Sequence, residues 1–412
     1  MSMLNSDTEI ERPGALGHIR VVELCTGVAG PYCTKLLADL GAEVIKIEPP
    51  GIGDDARQRG PFVDDRPHPE LSGLFLHLNT NKLGITLDTA TPIGGRILRE
   101  LVARADVFVE DRPPLLAKEL GLAYNELEKV NPRLVMVSIT PFGQTGPYRD
   151  FKAYELNSHH AGGEGYVLPI HSQEPDREPV KSGGISADCV CGLSAAVAAL
   201  AATFLASSMG IGQHIDVSKQ DVLMSLVQNH VCAYANLREV HSRLGRGFLT
   251  VLPMECLDGY IVITIVTDRE WRSLVECMGN PAWAQDEKYL SWIGRHSNAA
   301  EINPRIEEWA RGLPKDELFH KLQANGVAAA PVATAEDLAR SPQMIERGFF
   351  ERLVHPVAGE LQYPTTPCRF GETPWRGDSA APLLGQHNEV IYCERLGYTH
   401  EDLVKLREAG VV

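Results

Sequence analysis

No two cysteines in this chain have the C-x-x-C spacing, and the nine present are scattered and odd in number. Cys189 and Cys191 sit too close together, and too far from other Cys and His, for a zinc site, so no metal is expected. Positive charge is in deficit as well: 39 Lys and Arg against 54 Asp and Glu leave a formal net charge of -15. Such a balance does not neutralise a phosphodiester backbone, so nucleic acid is not an expected partner. A local basic pocket for one phosphorylated small molecule is still compatible with it. The first dozen residues are polar and acidic, without the basic-then-apolar pattern of a secretory signal. Free thiols in a reducing cytoplasm are the expectation. There is no internal repeat and no G-x-G-x-x-G fingerprint. The one long apolar stretch, Ala187 to Ala206, is rich in weakly apolar alanine and is interrupted by Asp188, Gly192, Ser194 and Thr203. It reads as a buried helix, and no membrane partner is expected.

What is present is alternation. Ile19–Leu24 reads as a buried strand, Gly30–Leu40 as a helix closed by Gly41, and Glu43–Glu48 as a second strand. Thr91 and Pro92 form a helix start ahead of a periodic pattern reaching Ala103, and Val107–Glu110 and Leu134–Ile139 are further short strands. Strands alternating with helices predict an α/β fold with a mostly parallel sheet covered on both faces. After the Ala-rich helix come a turn and the strand His214–Val217, and then the pattern changes. A strand at Gly259–Val266 and helices at Asp268–Met278 and Pro314–Ala324 suggest a smaller α+β domain. From Phe349 two short strands flank a turn near Gly359, and two terminal helices follow, the second capped by Thr399.

Several segments are candidate sites, each with a plain structural alternative. The turn Gly27-Val28-Ala29-Gly30-Pro31 offers amides and a positive dipole end to a phosphate, or is simply a tight strand-to-helix turn. Asn79-Thr80-Asn81-Lys82, leading into a strand at Ile85–Leu87, holds a phosphate or a carbonyl, or is a solvated loop. Glu110-Asp111-Arg112 follows a strand, where α/β sheets place ligand loops, and Arg112 is either a phosphate contact or a surface arginine. His159 and His160 read as loop residues with no partner at metal-ligand spacing. Asp188, reached through Gly183-Gly184-Ile185-Ser186-Ala187, is either an N-cap or an ionised carboxylate positioned to attack a carbonyl.

The ordered segments VVELCTGVAGPYCTKLLADLGAEVIKIEPPGIGD, NTNKLGITLD, ADVFVED, ITPFGQTGPYRD, GQHIDVSKQDVLMSL, LDGYIVI, NGVAAAPV and APLLGQHNEVI resemble the class III CoA-transferases. That family also includes formyl-CoA transferase, carnitine CoA-transferase and the α-methylacyl-CoA racemases. The resemblance runs from about Gly17 to Val412. It implies a Rossmann-like large domain over 1–210, a linker helix region at 211–240, a small domain over 241–335, and a linker with C-terminal return over 336–412. It implies two such subunits threaded as an interlocked homodimer. Asp188 falls at the place of the family's nucleophile, which forms an aspartyl–acyl anhydride and then an aspartyl–CoA thioester. The implied partners are an acyl-CoA and a small carboxylic acid, with CoA a substrate and no cofactor tightly bound. By the same resemblance, CoA contacts fall to Val28 and Ala29, Arg57, Lys82, the Leu87–Thr89 backbone, Asp111 and Arg112, and Lys118.

Departures from the family pattern affect the phosphate contacts. Pro49 stands where an Arg often follows the Glu of the IKIE block. Glu119 stands where a basic residue is common, with Lys118 one earlier. The racemases have a His-Asp pair where this chain has Tyr154-Glu155, and Tyr is a poor base near neutral pH. A transferase is therefore expected, with racemase the alternative and a non-catalytic CoA-binding subunit a third reading. The absence of a long glycine run in the small domain disfavours oxalate.

Overall fold

The computed structural model describes residues 14–169, 176–241, 243, 253–375 and 377–412. Among these the chain forms two compact units. One comprises residues up to Tyr166 with Val180–His241 and Gly348–Val412; the other comprises Val167–Pro179 and Ser242–Arg347.

The first unit is built on six parallel strands: β1 (Arg20–Leu24), β2 (Glu43–Glu48), β3 (Lys82–Thr86), β4 (Val107–Glu110), β5 (Val135–Thr140) and β6 (Gln213–Ser218). Their order in the sheet is β3-β2-β1-β4-β5-β6, so the direction of winding reverses between β1 and β4. Loops leaving the carboxyl ends of strands flank a crevice at such a reversal. The strands from β1 to β5 are largely buried on both faces, whereas the edge strand β6 exposes His214 and Asp216. Val21, Val107, Val135, Val137 and Ile139 turn to one face and pack against α1 (Ala29–Ala38) and the Ala-rich helix. Val22, Leu24, Ile45, Ile47, Phe108 and Met136 turn to the other. There they meet α2 (Pro92–Val102) and the C-terminal residues Ile391, Tyr392, Leu403, Leu406 and Val411. The two-residue period of the strands thus feeds two separate cores.

The helix starts follow local chemistry. Thr91 Oγ1 accepts from the Gly94 amide at 3.0 Å and Pro92 opens α2 with no amide to orphan. The C-terminal return is tied to β3 by polar bonds as well as by packing. Asn388 Oδ1 accepts from the Thr86 amide at 2.9 Å, and the Tyr392 hydroxyl donates to the Thr86 carbonyl at 2.7 Å. Two antiparallel strands precede it, Phe350–His355 and Gly359–Pro364.

The second unit has a three-stranded antiparallel sheet of Met254–Cys256, Gly259–Thr264 and Ala328–Pro331. Its core gathers Ile261, Ile263, Trp271, Leu274, Ile302, Ile306, Leu318 and Leu322 from that sheet and from helices Asp268–Cys277, Ala299–Ala310 and Lys315–Ala324. The division between units differs from the sequence expectation in a physically simple way. Residues 211–240 include β6, which pairs with β5 along six positions, so they belong to the large unit. The small unit extends past 335 to Arg347 and also takes in Val167–Pro179.

Candidate active site

Three further helices position the site: α3 (Pro114–Glu119) after β4, α4 (Glu155–Ala161) after β5, and α5 (Ser186–Met209), the Ala-rich helix. Together with α6 (Lys219–Leu226), which follows β6, they surround the carboxyl ends of β1, β4, β5 and β6. By length and composition α5 is apolar enough to cross a membrane. Its Ala187, Cys191, Ala195, Ala199 and Ala202 face is nonetheless part of the core against α1 and the sheet. The approach is close enough that a Cβ on Gly192 would lie 2.4 Å from the Ala29 carbonyl, which only glycine permits.

Asp188 is not the cap of this helix. Ser186 is the first helical residue and Ile185 stands at the N-cap with no side-chain bond, which places Asp188 at the third position. Its carboxylate is turned to another partner: Oδ1 accepts from Lys219 Nζ at 2.8 Å, with the two side chains 11% and 17% exposed. The dipole of a 24-residue helix favours negative charge at this end. Asp188 and Lys219 open into a cleft of about 860 Å³ lined also by Thr26, Gly27, Val28, Asp111, Tyr154 and Glu155. A smaller hollow of about 410 Å³ is lined by Leu24, Pro49, Leu87, Thr89, Arg112 and Gly410. Leu116 of α3 borders both spaces.

Of the sequence-predicted residues, Val28, Asp111 and Asp188 therefore meet at the large cleft, and Leu87, Thr89 and Arg112 at the smaller hollow. Ala29 is buried at the start of α1, and Lys118 is exposed and borders neither space. Lys82 and Arg57 have other work. Lys82 Nζ is fully buried and bonded to Glu23 Oε2 (2.9 Å), the Pro31 carbonyl (2.8 Å) and Asn79 Oδ1 (2.9 Å). Asn79 and Thr80 are likewise buried, so this stretch is an interior polar cluster rather than the solvated loop that was its plain alternative. Arg57 is clamped by Glu48 (2.7 and 2.9 Å), Glu70 (2.7 Å) and the Pro382 carbonyl (3.0 Å), over the Phe75 ring. His159 and His160 lie on α4 rather than in a loop, and the His159 side chain is buried.

The glycine turn is partly filled by the protein's own acids. The Gly27 amide donates to Asp54 Oδ1 and the Thr26 amide to Asp111 Oδ2, both at 2.8 Å. Lys46 Nζ joins Asp54 Oδ2 (2.6 Å) to Glu23 Oε1 (2.8 Å), so the turn is anchored to the interior of the sheet. Burial by itself raises Glu23, but Lys46 and Lys82 outweigh it and hold the carboxyl at about 2. Burial likewise raises Asp111, with Arg112 and the Thr26 amide opposing it. The approach to Asp188 is fixed by Lys181. Its Nζ donates to Glu155 Oε1 (3.1 Å) and to the Ser182 (2.8 Å) and Gly184 (2.6 Å) carbonyls.

Glu110, at the end of β4, behaves differently. Burial pushes its carboxyl from 4.5 up to about 7, against the pull of Ser138 and the Arg112 amide. A group whose folded value lies above its unfolded one stabilises below the unfolded value and loses that contribution as pH rises through the folded one. Glu110→Gln is thus expected to stabilise the protein by about 3 kcal/mol at pH 8 and to change little at pH 4.5. Urea midpoints at the two pH values measure this.

The chain matches the description of CoA-transferase family III over residues 16–388. It belongs to that family. It is 32% identical over 407 residues to the succinyl-CoA–D-citramalate CoA-transferase of Chloroflexus aurantiacus, covering 97% of this chain and 98% of that one. It is 34% identical over 388 residues to the succinate–glutarate CoA-transferase of Agrobacterium fabrum, covering 93% and 96%. A crystal structure of a CAIB/BAIF family protein from Brucella suis superimposes with a TM-score of 0.82 at 32% identity, over 93% of this chain and 100% of that one. The family III chain is accordingly a CoA-transferase. The residues that sequence reading missed here are Lys219, Lys46, Asp54 and Lys181. A signal existed for Lys46: it stands in the apolar strand EVIKIE, one strand from the Glu of VVEL, and the two are paired in register.

Proposed function

We propose that this transferase moves CoA from an acyl-CoA donor to a free carboxylic acid with Asp188 as nucleophile. The observation that carries the reading is the Asp188 carboxylate, held in the first turn of α5 at the wall of the large cleft. Attack on the donor thioester gives an aspartyl–acyl anhydride and CoA thiolate. The thiolate then attacks the aspartyl carbonyl to give an aspartyl–CoA thioester and release the donor acid. The acceptor carboxylate reverses the two steps. Such anhydrides hydrolyse readily, so water has to be excluded while the acids exchange.

The shared border at Leu116 supports a course for CoA from the smaller hollow, with its adenine near Leu87 and Thr89 and a phosphate near Arg112, to its sulfur beside Asp188. Val28 and Asp111 flank the sulfur end. The large unit is the Rossmann-like CoA-binding domain in this reading, and the working enzyme is an interlocked homodimer in the cytoplasm. The relatives' names make succinyl-CoA the first donor to test, with dicarboxylic acids as acceptors. Tyr154 and Glu155 line the cleft where the racemases have a His-Asp pair, which favours acyl transfer over α-proton exchange.

The test is to incubate the full-length protein with succinyl-CoA and a panel of carboxylic acids, and to follow new acyl-CoA species by mass spectrometry. A hydroxylamine-sensitive CoA adduct on Asp188 is expected. Formation of no new thioester across the panel overturns the reading. So does deuterium entering the α-position of a 2-methylacyl-CoA with no acid present.

A further inference from the structure

Lys219 follows β6 directly and opens α6, so it reaches the cleft from the carboxyl end of the sheet. Its ammonium holds Asp188 Oδ1 at 2.8 Å, and among the described residues Asp188 Oδ2 accepts no hydrogen bond. One carboxylate oxygen is thereby fixed and the other left toward the cleft. We propose that Lys219 is a catalytic residue of this transferase, a permanent counter-ion that passes from Asp188 to the anions that replace it during the reaction. The inference rests on the transferase reading above.

Charge conservation through the steps leads to it. When an Asp188 oxygen bonds to the donor carbonyl carbon, the C–S bond breaks and its electron pair leaves on sulfur. The acylated Asp188 is neutral, and the negative charge sits on the thiolate. When that sulfur bonds to the aspartyl carbonyl carbon, the C–O bond breaks and the pair leaves as the donor's carboxylate. The acceptor carboxylate then displaces sulfur, and sulfur in turn displaces the Asp188 carboxylate. At each stage one negative charge is present among these reacting groups, and no proton moves. A general acid or base has no task in such a sequence, whereas one fixed cation serves each anion in turn.

The surroundings suit a cation that stays charged. Burial alone would lower Lys219, but Asp188 and then Asp111 outweigh it and hold the ammonium above its ordinary value. Cys191, one turn along α5, also neighbours the ammonium, and burial pushes its thiol up to about 12, so it contributes no competing charge near neutral pH. Once Asp188 is acylated, a mostly buried ammonium has lost its nearest partner. Its desolvation favours recruiting the next anion, either the sulfur or the carboxylate.

The experiment uses the full-length enzyme with succinyl-CoA as donor and glutarate as acceptor, in wild type, K219Q and K219A. Glutamine can still donate to Asp188 Oδ1 but carries no charge, which keeps the fold test separate from the charge test. K219Q is expected to lower kcat by about 10² to 10³ and to raise KM for glutarate more than KM for succinyl-CoA. Propylammonium chloride is expected to restore activity to K219A saturably, while butanol of similar size does not. A purely structural lysine would give no such rescue. Wild-type rates in folded K219Q, or an impaired K219A that propylammonium does not restore, overturn the proposal and leave the transferase reading standing. If wild type yields no Asp188–CoA adduct with any donor in the panel, both fall together.

Discussion

Asp188→Asn is expected to abolish CoA transfer, with kcat/KM falling by at least about 10⁴. The substitution keeps the shape of the side chain and an oxygen for the Lys219 ammonium, which lies 2.8 Å from Oδ1 in the native protein. What it removes is the anion. A neutral amide oxygen is a far weaker nucleophile toward a thioester than a carboxylate, and no alternative carboxylate occupies the same place. Asp111 and Glu155 line the same cleft, but the first is bonded to the Thr26 amide and the second to Lys181. The loss should fall on kcat, since the proposed contacts to the nucleotide end of CoA lie at Leu87, Thr89 and Arg112 rather than at the carboxylate. Binding of CoA, followed by calorimetry, is therefore expected to change by no more than about threefold. Intact-mass spectra should show no CoA adduct on the variant. Asp188→Asn also leaves the Lys219 charge without its partner, so the double variant D188N/K219Q serves as the folding control. Residual transfer above about one per cent of wild type would remove Asp188 from the nucleophile's role.

How much of this was readable in advance divides along physical lines. The central strands were legible because their apolar runs are buried on both faces, and Glu43–Glu48 and Val107–Glu110 are found at the expected residues. Helix ends announced by Thr91-Pro92 and Thr399 were legible because capping is local chemistry. Asp188 was found by the order of motifs around it, and its local sequence pointed to a cap it does not form. Capping depends on where the first helical turn begins, and Ser186 opens this helix two residues before Asp188. Lys219 could not be read, because its meaning comes from α5 and α6 meeting across 31 positions of sequence. Two of the basic residues assigned to CoA are engaged inside the unit instead. Lys82 and Arg57 lie in segments that match the family, yet their charges are consumed by Glu23, Glu48 and Glu70 inside the unit. Sequence shows that a charge is present; burial decides whether a ligand can use it.

The same interior network carries the largest expected effect on stability. Lys46→Met is expected to cost about 3–5 kcal/mol of folding free energy, because it strips one cation from two fully buried carboxylates. Lys46 Nζ bonds to Glu23 Oε1, Asp54 Oδ2 and the Cys25 carbonyl, and its side chain is 0% exposed. Glu23 keeps Lys82 and the Thr34 hydroxyl, but Asp54 keeps only backbone donors, the amides of Gly27 and Ala56. Methionine fills similar volume and leaves no cavity, so the loss reports the uncompensated charge. Urea unfolding should show a lower midpoint with an unchanged slope. The pH dependence gives an independent check. Glu23 sits at about 2 in the fold against 4.5 unfolded, so its stabilisation is complete above pH 4.5 and is lost as pH falls toward 2. Removing Lys46 takes away the largest opposing charge and lets burial raise the carboxyl again, so acid unfolding of the variant should begin at higher pH. The effect also reaches the cleft. Asp54 holds the Gly27 amide, and Gly27 and Val28 border the space where the thioester is proposed to bind. With Asp54 released, that turn loses its tether to the sheet, and KM for succinyl-CoA should rise while the Asp188–Lys219 pair stays intact. A variant that is destabilised as expected but binds succinyl-CoA as wild type does would separate the network from the site and confine Lys46 to the fold.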